Sequence, residues 1–113
     1  MTKSPHGFAI AFVLYRPPDN WMRRIELISS LGFTVYVFDN SPDEHQVYSY
    51  GNSVKKVFYL TAGKNIGLGI SLALLCATAY SAGEKRLLFL DQDTGISQQT
   101  LNFIDNFNFE HRD

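Results

Sequence analysis

Asp91-Gln92-Asp93 sets two carboxylates one residue apart, directly after the apolar run Leu87-Leu88-Phe89-Leu90. If extended backbone persists through them, the two-residue period of a strand aims both side chains the same way. Paired oxygens of this kind suit a hard cation, Mg²⁺ or Mn²⁺. Mg²⁺ in particular is commonly held by one or two carboxylates together with substrate phosphates. Turn chemistry is the plainer use of the same residues, because Asp, Thr and Gly also terminate strands and cap helices.

Two further segments carry chemistry. Asp39 closes another apolar run and could accept hydrogen bonds from a base imide or a ribose hydroxyl; its local alternative is an Asx-turn with Asn40 and Ser41. Gly63-Lys64-Asn65-Ile66-Gly67-Leu68-Gly69 opens the longest apolar stretch. A helix starting there would present free N–H groups, a positive dipole end and the Lys64 ammonium to a diphosphate. The glycines also fit plain close packing. Two named phosphate motifs fail: a P-loop would need Gly at Phe58 and Ser or Thr at Asn65, and a dinucleotide fingerprint starting at Gly67 would need Gly or Ala at Leu72. A nucleophile elbow around Ser71 would fall inside a helix. His6, His45 and His111 are scattered without metal spacing and read as surface residues.

The elements that would position these residues alternate strand with helix. Phe8 to Tyr15 is continuously apolar, as a strand covered on both faces should be. Pro17-Pro18 ends it, Asp19 or Asn20 can cap a helix carrying Trp21, Ile25, Ile28 and Leu31 on one stripe, and Gly32 stops that helix. Strands are then expected at residues 33–38, 56–60 and 86–90. A long apolar helix is expected from about Ile66 to Ser81, and residues 43–53 read as loop. Ser97 can cap a last helix bearing Leu101, Ile104 and Phe107. This order predicts an α/β fold, a mostly parallel Rossmann-like sheet of about four strands with flanking helices. Right-handed crossovers then bring every strand's carboxyl end to one edge, where ligands of such sheets bind. Tyr15-Arg16, Asp39-Asn40, Thr61 to Asn65 and Asp91 to Thr94 all fall on that edge.

Composition bounds the rest. The 113 residues suit a single domain, 1–113, and a 45% hydrophobic share supplies a core without staples. With 10 Lys+Arg against 11 Asp+Glu and only paired basic residues, the chain lacks the basic excess of a nucleic-acid binder. Cys76 cannot form an internal disulfide and reads as a small core residue. The stretch Ile66 to Ala79 is too short to span a bilayer, and Arg16-Pro17-Pro18 stands where a signal peptide would need a small-residue cleavage site. A cytoplasmic location, or a peripheral one at the inner membrane, is expected.

Four features in register carry a resemblance. An apolar first strand ending near Tyr15, a second ending in Asp39-Asn40-Ser41, the helix start Asn65-Ile66-Gly67-Leu68-Gly69 and a strand running into Asp91-Gln92-Asp93 follow in that order. Over residues 7–107 the chain resembles the nucleotide-binding half of family 2 GT-A glycosyltransferases, above all the rhamnosyltransferase-like branch with its Asp-Gln-Asp motif. The resemblance implies binding of a nucleoside diphosphate sugar, a UDP- or dTDP-sugar, for transfer to an acceptor hydroxyl in polysaccharide biosynthesis. It implies that Asp39 reads the base, that Tyr15 and Arg16 wall the base pocket and that Lys64 and Asn65 lie beside the nucleoside. It further implies that Asp91 falls near ribose and metal and that Asp93 ligates Mg²⁺ or Mn²⁺, which steadies the leaving diphosphate.

Members of that family continue well past this motif and supply an acceptor site and a carboxylate base. Here 20 residues follow Asp93, and none of Asp105, Glu110 and Asp113 has a clear place as the base. Donor binding is therefore the firmer expectation, with a non-catalytic nucleotide-sugar-binding or subunit-interaction module as the alternative. A haloacid-dehalogenase-like phosphatase also begins with strand then Asp-x-Asp, but Gly95 stands where that family wants Thr or Val. In the resembled fold the strand carrying Asp91 pairs with a later strand. Without one, Leu87 to Leu90 is a bare apolar edge, so a homodimer or a second chain completing the sheet there is expected.

Overall fold

A computed structural model describes residues 7–18, 20–42, 56–92 and Gln99. Six elements follow in the order β1 (Ala9–Leu14), α1 (Trp21–Ser30), β2 (Val35–Asp39), β3 (Val57–Thr61), α2 (Leu68–Ser81) and β4 (Leu87–Asp91). All four strands are parallel, in the spatial order β3-β2-β1-β4. The fold is α/β and Rossmann-like, as the alternation of elements predicts. The expected last helix around residues 97–107 and the loop at 43–53 lie outside the described residues.

β1 is one of the two inner strands, and its lack of polar alternation follows from cover on both faces. Ile10, Phe12 and Leu14 point to one side, with Val35 and Val37 of β2, and meet Trp21, Ile25 and Ile28 of α1. Ala9 and Ala11 point to the other, with Tyr36 and Phe38, and meet Leu75 and Ala79 of α2. The two alanines are what let α2 lie close against the sheet, since a larger residue there would hold the helix off. The register Phe12↔Val37 and Phe12↔Leu90 keeps both layers aligned across three strands.

Expectation and structure differ in two local features. Asn20 precedes α1 but makes no side-chain cap, because its φ of −92° and ψ of 5° already turn it toward helix. A capping side chain reaches the N2 or N3 amide from extended backbone. The first-turn amides instead use main-chain carbonyls: Trp21 N donates to Pro18 O at 3.1 Å and Arg23 N to Asn20 O at 3.2 Å.

Cys76, expected in the core, is exposed. Nearly every residue of α2 is apolar, so composition marks no buried stripe. The sheet contact selects Ser71, Leu75 and Ala79 at intervals of four, and Cys76 lies about 100° round from Leu75.

Beneath α2, Tyr36 stacks on Phe58 with centroids 5.0 Å apart, and its hydroxyl donates to Glu84 Oε2 at 3.2 Å. Burial, and then the charge and hydrogen bond of Glu84, push the Tyr36 phenol far above its ordinary pKa.

Candidate functional site

The carboxyl ends of the four parallel strands lie along one edge of the sheet. A cleft of about 370 Å³ opens there, lined by Val13, Tyr15, Asn40, Asn65, Gly67, Leu68, Asp91 and Gln92. β1 contributes the floor, β4 one wall, and the start of α2 the other.

Local hydrogen bonding explains how each wall is held. Gln92 is the key residue that sequence reasoning passed over. Its carboxamide accepts from Tyr15 N at 2.8 Å and donates to Tyr15 O at 2.9 Å. One amide thus mimics a strand neighbour and carries the β1–β4 ladder one step past the regular pairing, which ends at Val13↔Asp91. Arg24 of α1 adds a bond to the Gln92 carbonyl oxygen. The signal for this was present: a carboxamide is the one side-chain group that matches both donor and acceptor of a peptide unit.

Asn40 does the same service on the opposite wall. Its backbone N–H donates to Leu14 O at 2.7 Å, and its Oδ1 accepts from Ile66 N at 3.2 Å with the Ser71 hydroxyl 3.1 Å away. The segment before α2 is thereby tied to the end of β2. Asn65 Oδ1 accepts from Gly67 N at 2.8 Å, closing an Asx-turn into the helix. Gly67 has φ 88°, the left-handed region that glycine enters without penalty, and no side chain caps the helix behind it. The first-turn N–H groups of α2, which have no intrahelical acceptor, start at the cleft wall.

The residues named from sequence are distributed unevenly. Tyr15, Asn65 and Asp91 line the cleft. Arg16 stands beside it: its guanidinium carbon is 5.5 Å from the Tyr15 ring centroid, and its Nε donates to Tyr15 Oη at 3.1 Å. Its backbone, at φ 46°, is in a region costly for a side-chain-bearing residue and is held by a 2.7 Å bond from Arg16 N to Ser41 Oγ. Lys64 is exposed next to Asn65 but is not part of the lining. Asp93 lies outside the described residues.

Asp39 is placed apart from these residues. It is fully buried, Ser41 N donates to its Oδ1 at 2.9 Å, and the Tyr59 hydroxyl donates to its Oδ2. Register gives the reason. Asp39 pairs with Leu14, whose side chain belongs to the α1 layer, whereas Asp91 pairs with Val13, which belongs to the α2 layer. Strand alternation therefore sends the two carboxylates to opposite faces of the sheet. There Asp39 braces the turn at 39–41, to which Thr61 Oγ1 also bonds through Asp39 O at 3.0 Å.

For a cation, the described residues offer Asp91, exposed at the cleft, and no group of three His, Cys, Asp or Glu side chains. That set fits a metal shared with a ligand's phosphates and does not fit an all-protein cage. Among the described residues no helix is long and apolar enough to cross a membrane.

No protein-family model matches the chain, and no curated protein or solved structure matches it.

Proposed function

We propose that the cleft binds a nucleoside diphosphate sugar with Mg²⁺ or Mn²⁺, and that the chain is the donor-binding part of a glycosyltransferase of the family 2 GT-A type. The observation that carries this reading is the convergence of Tyr15, Asn65, Asp91 and the start of α2 on one cleft at the carboxyl edge of a parallel sheet. Each supplies a different part of such a ligand's chemistry. Tyr15, 46% exposed, offers a ring face to a base. Asn65 offers a carboxamide to the base or ribose. The α2 N-terminus offers N–H groups and a positive dipole end to phosphate, with the Lys64 ammonium close in sequence. Asp91, joined by Asp93, would ligate the cation, whose chemistry when bound is to offset charge on the diphosphate. The volume lies in the usual range for small-molecule sites.

Asp39 enters this reading as a brace beneath the cleft. With one exposed carboxylate among the described residues at the cleft, the reading assigns donor binding and leaves the base for transfer unassigned. The test is thermal stabilisation by UDP, dTDP and GDP, each with Mn²⁺ and with EDTA. A nucleotide present at about 100 times its Kd should add roughly 2.7 kcal/mol, several degrees in Tm, and only with metal. Asp91→Asn and Asp93→Ala should each abolish the shift. No response to any nucleotide overturns the proposal and leaves the subunit-interaction reading, favoured by the outer edge of β4, with which no strand pairs among the described residues.

A further inference from the structure

β4 is the outermost strand on its side, and among the described residues no strand pairs with its outer edge. Its own sequence carries none of the usual edge protection. Leu87, Leu88, Phe89 and Leu90 succeed one another without Pro, charge or bulge, and Phe89 is 42% exposed. On the α2 side a groove of about 520 Å³ runs over this strand, lined by Cys76, Ala77 and Tyr80 of α2 and by Leu87 and Phe89 below them. Tyr80 is 80% exposed. A helix as uniformly apolar as α2 belongs in an interior, yet half of its circumference faces this groove and solvent.

We propose that two copies of the chain join through β4, antiparallel, about a two-fold axis normal to the sheet, and that Lys85 of each copy pairs with Asp91 of the other. Main-chain polarity allows this. Ala9 N donates to Arg86 O, so the even-numbered residues of β4 bond inward to β1, and Leu87, Phe89 and Asp91 turn their N–H and C=O groups outward. The axis keeps both α2 helices on one face, so directly opposite residues must come from the same side-chain layer.

Charge then selects the register. Centred on Leu88, the pairing sets Leu87 against Phe89 twice and Lys85 against Asp91 twice, apolar on apolar and cation on anion. Centred on Phe89, it would set Asp91 against Leu87, a carboxylate facing a hydrocarbon, and move Lys85 opposite position 93, past the end of β4. The first register also places both Phe89 rings under the grooves, so the seam and the bare flank of α2 are covered together. An eight-stranded sheet results, with no long apolar edge at its centre. Because Asp91 also lines the cleft, the second copy contributes a lysine to its rim. The dimer stands apart from the nucleotide reading; only that last consequence leans on it.

Sedimentation velocity of the full chain over a micromolar concentration series tests the proposal. A two-copy mass is expected. Lys85→Glu and Asp91→Lys each set like charges opposite one another twice and should raise the dissociation constant about tenfold, while the two substitutions together restore it. Phe89→Lys, at an exposed seam position opposite Leu87, should give a monomer whose circular dichroism stays native. A wild-type chain that remains monomeric throughout, as when its own residues 93–113 cover the strand, overturns the proposal. So does a dimer indifferent to both charge reversals, because another surface then holds it. Nucleotide binding by a monomer would separate the two proposals.

Discussion

Gln92 permits the sharpest test of how the cleft is built. Its side chain makes two bonds to Tyr15, at 2.8 and 2.9 Å, and both lie at an exposed position where water competes. Each such bond is worth about 0.5–1 kcal/mol net, the low half of the general range. Gln92→Ala should therefore cost about 1–2 kcal/mol, a fall of roughly 4–12 °C in Tm for a domain of this size.

The isosteric Gln92→Glu separates the two bonds. Its carboxylate still accepts from Tyr15 N but turns a second oxygen toward Tyr15 O, which replaces a bond by a repulsion. At neutral pH it should be at least as destabilised as Gln92→Ala. As pH falls through about 4.3, the ordinary carboxyl range, the protonated acid can donate to Tyr15 O again, and the difference from wild type should narrow. Differential scanning calorimetry of the three chains across pH reads both effects. If Gln92→Ala melts within a degree of wild type, or if Gln92→Glu shows no acid recovery relative to wild type, the carboxamide does not carry the β1–β4 ladder and the account of this wall fails.

Two more outcomes follow from buried polar groups. Tyr59→Phe removes the hydroxyl that donates to Asp39 Oδ2 and should cost about 1–3 kcal/mol by urea titration, whereas Tyr59→Leu should cost more through lost packing. The Tyr36 phenol has a folded pKa raised above its unfolded value near 10, so the neutral form that the fold prefers is fully present below that pH. Stability should fall as pH rises above about 10, where the unfolded chain ionises first, and Tyr36→Phe should remove that component of the alkaline slope in guanidinium melts.

The order of elements was legible in the residues themselves. β1, β2 and β4 are apolar runs of strand length, Gly32 and Gly83 stop helices with φ of 95° and 97°, and the polar clusters at 39–42 and 61–65 mark where strands hand over to loops. Those local signals suffice to place Tyr15, Asn65 and Asp91 on one rim, because short right-handed crossovers leave parallel strands ending at the same side. Element bounds shift by only one or two residues, as at β2, which ends on Asp39 instead of Phe38.

Which face each side chain meets was decided by tertiary structure alone. A strand buried on both sides carries no alternation, so nothing in the neighbourhood of Asp39 or Asp91 says which layer either will join. Only the pairings Leu14↔Asp39 and Val13↔Asp91 settle it, and they send the two carboxylates to opposite faces of the sheet. The same holds for α2: with no polar stripe to orient it, contact with Ala9 and Ala11 turned Leu75 inward and left Cys76 outside. Sequence determines structure here wherever polarity varies along an element. Where it is uniform, the choice of face belongs to the packed whole.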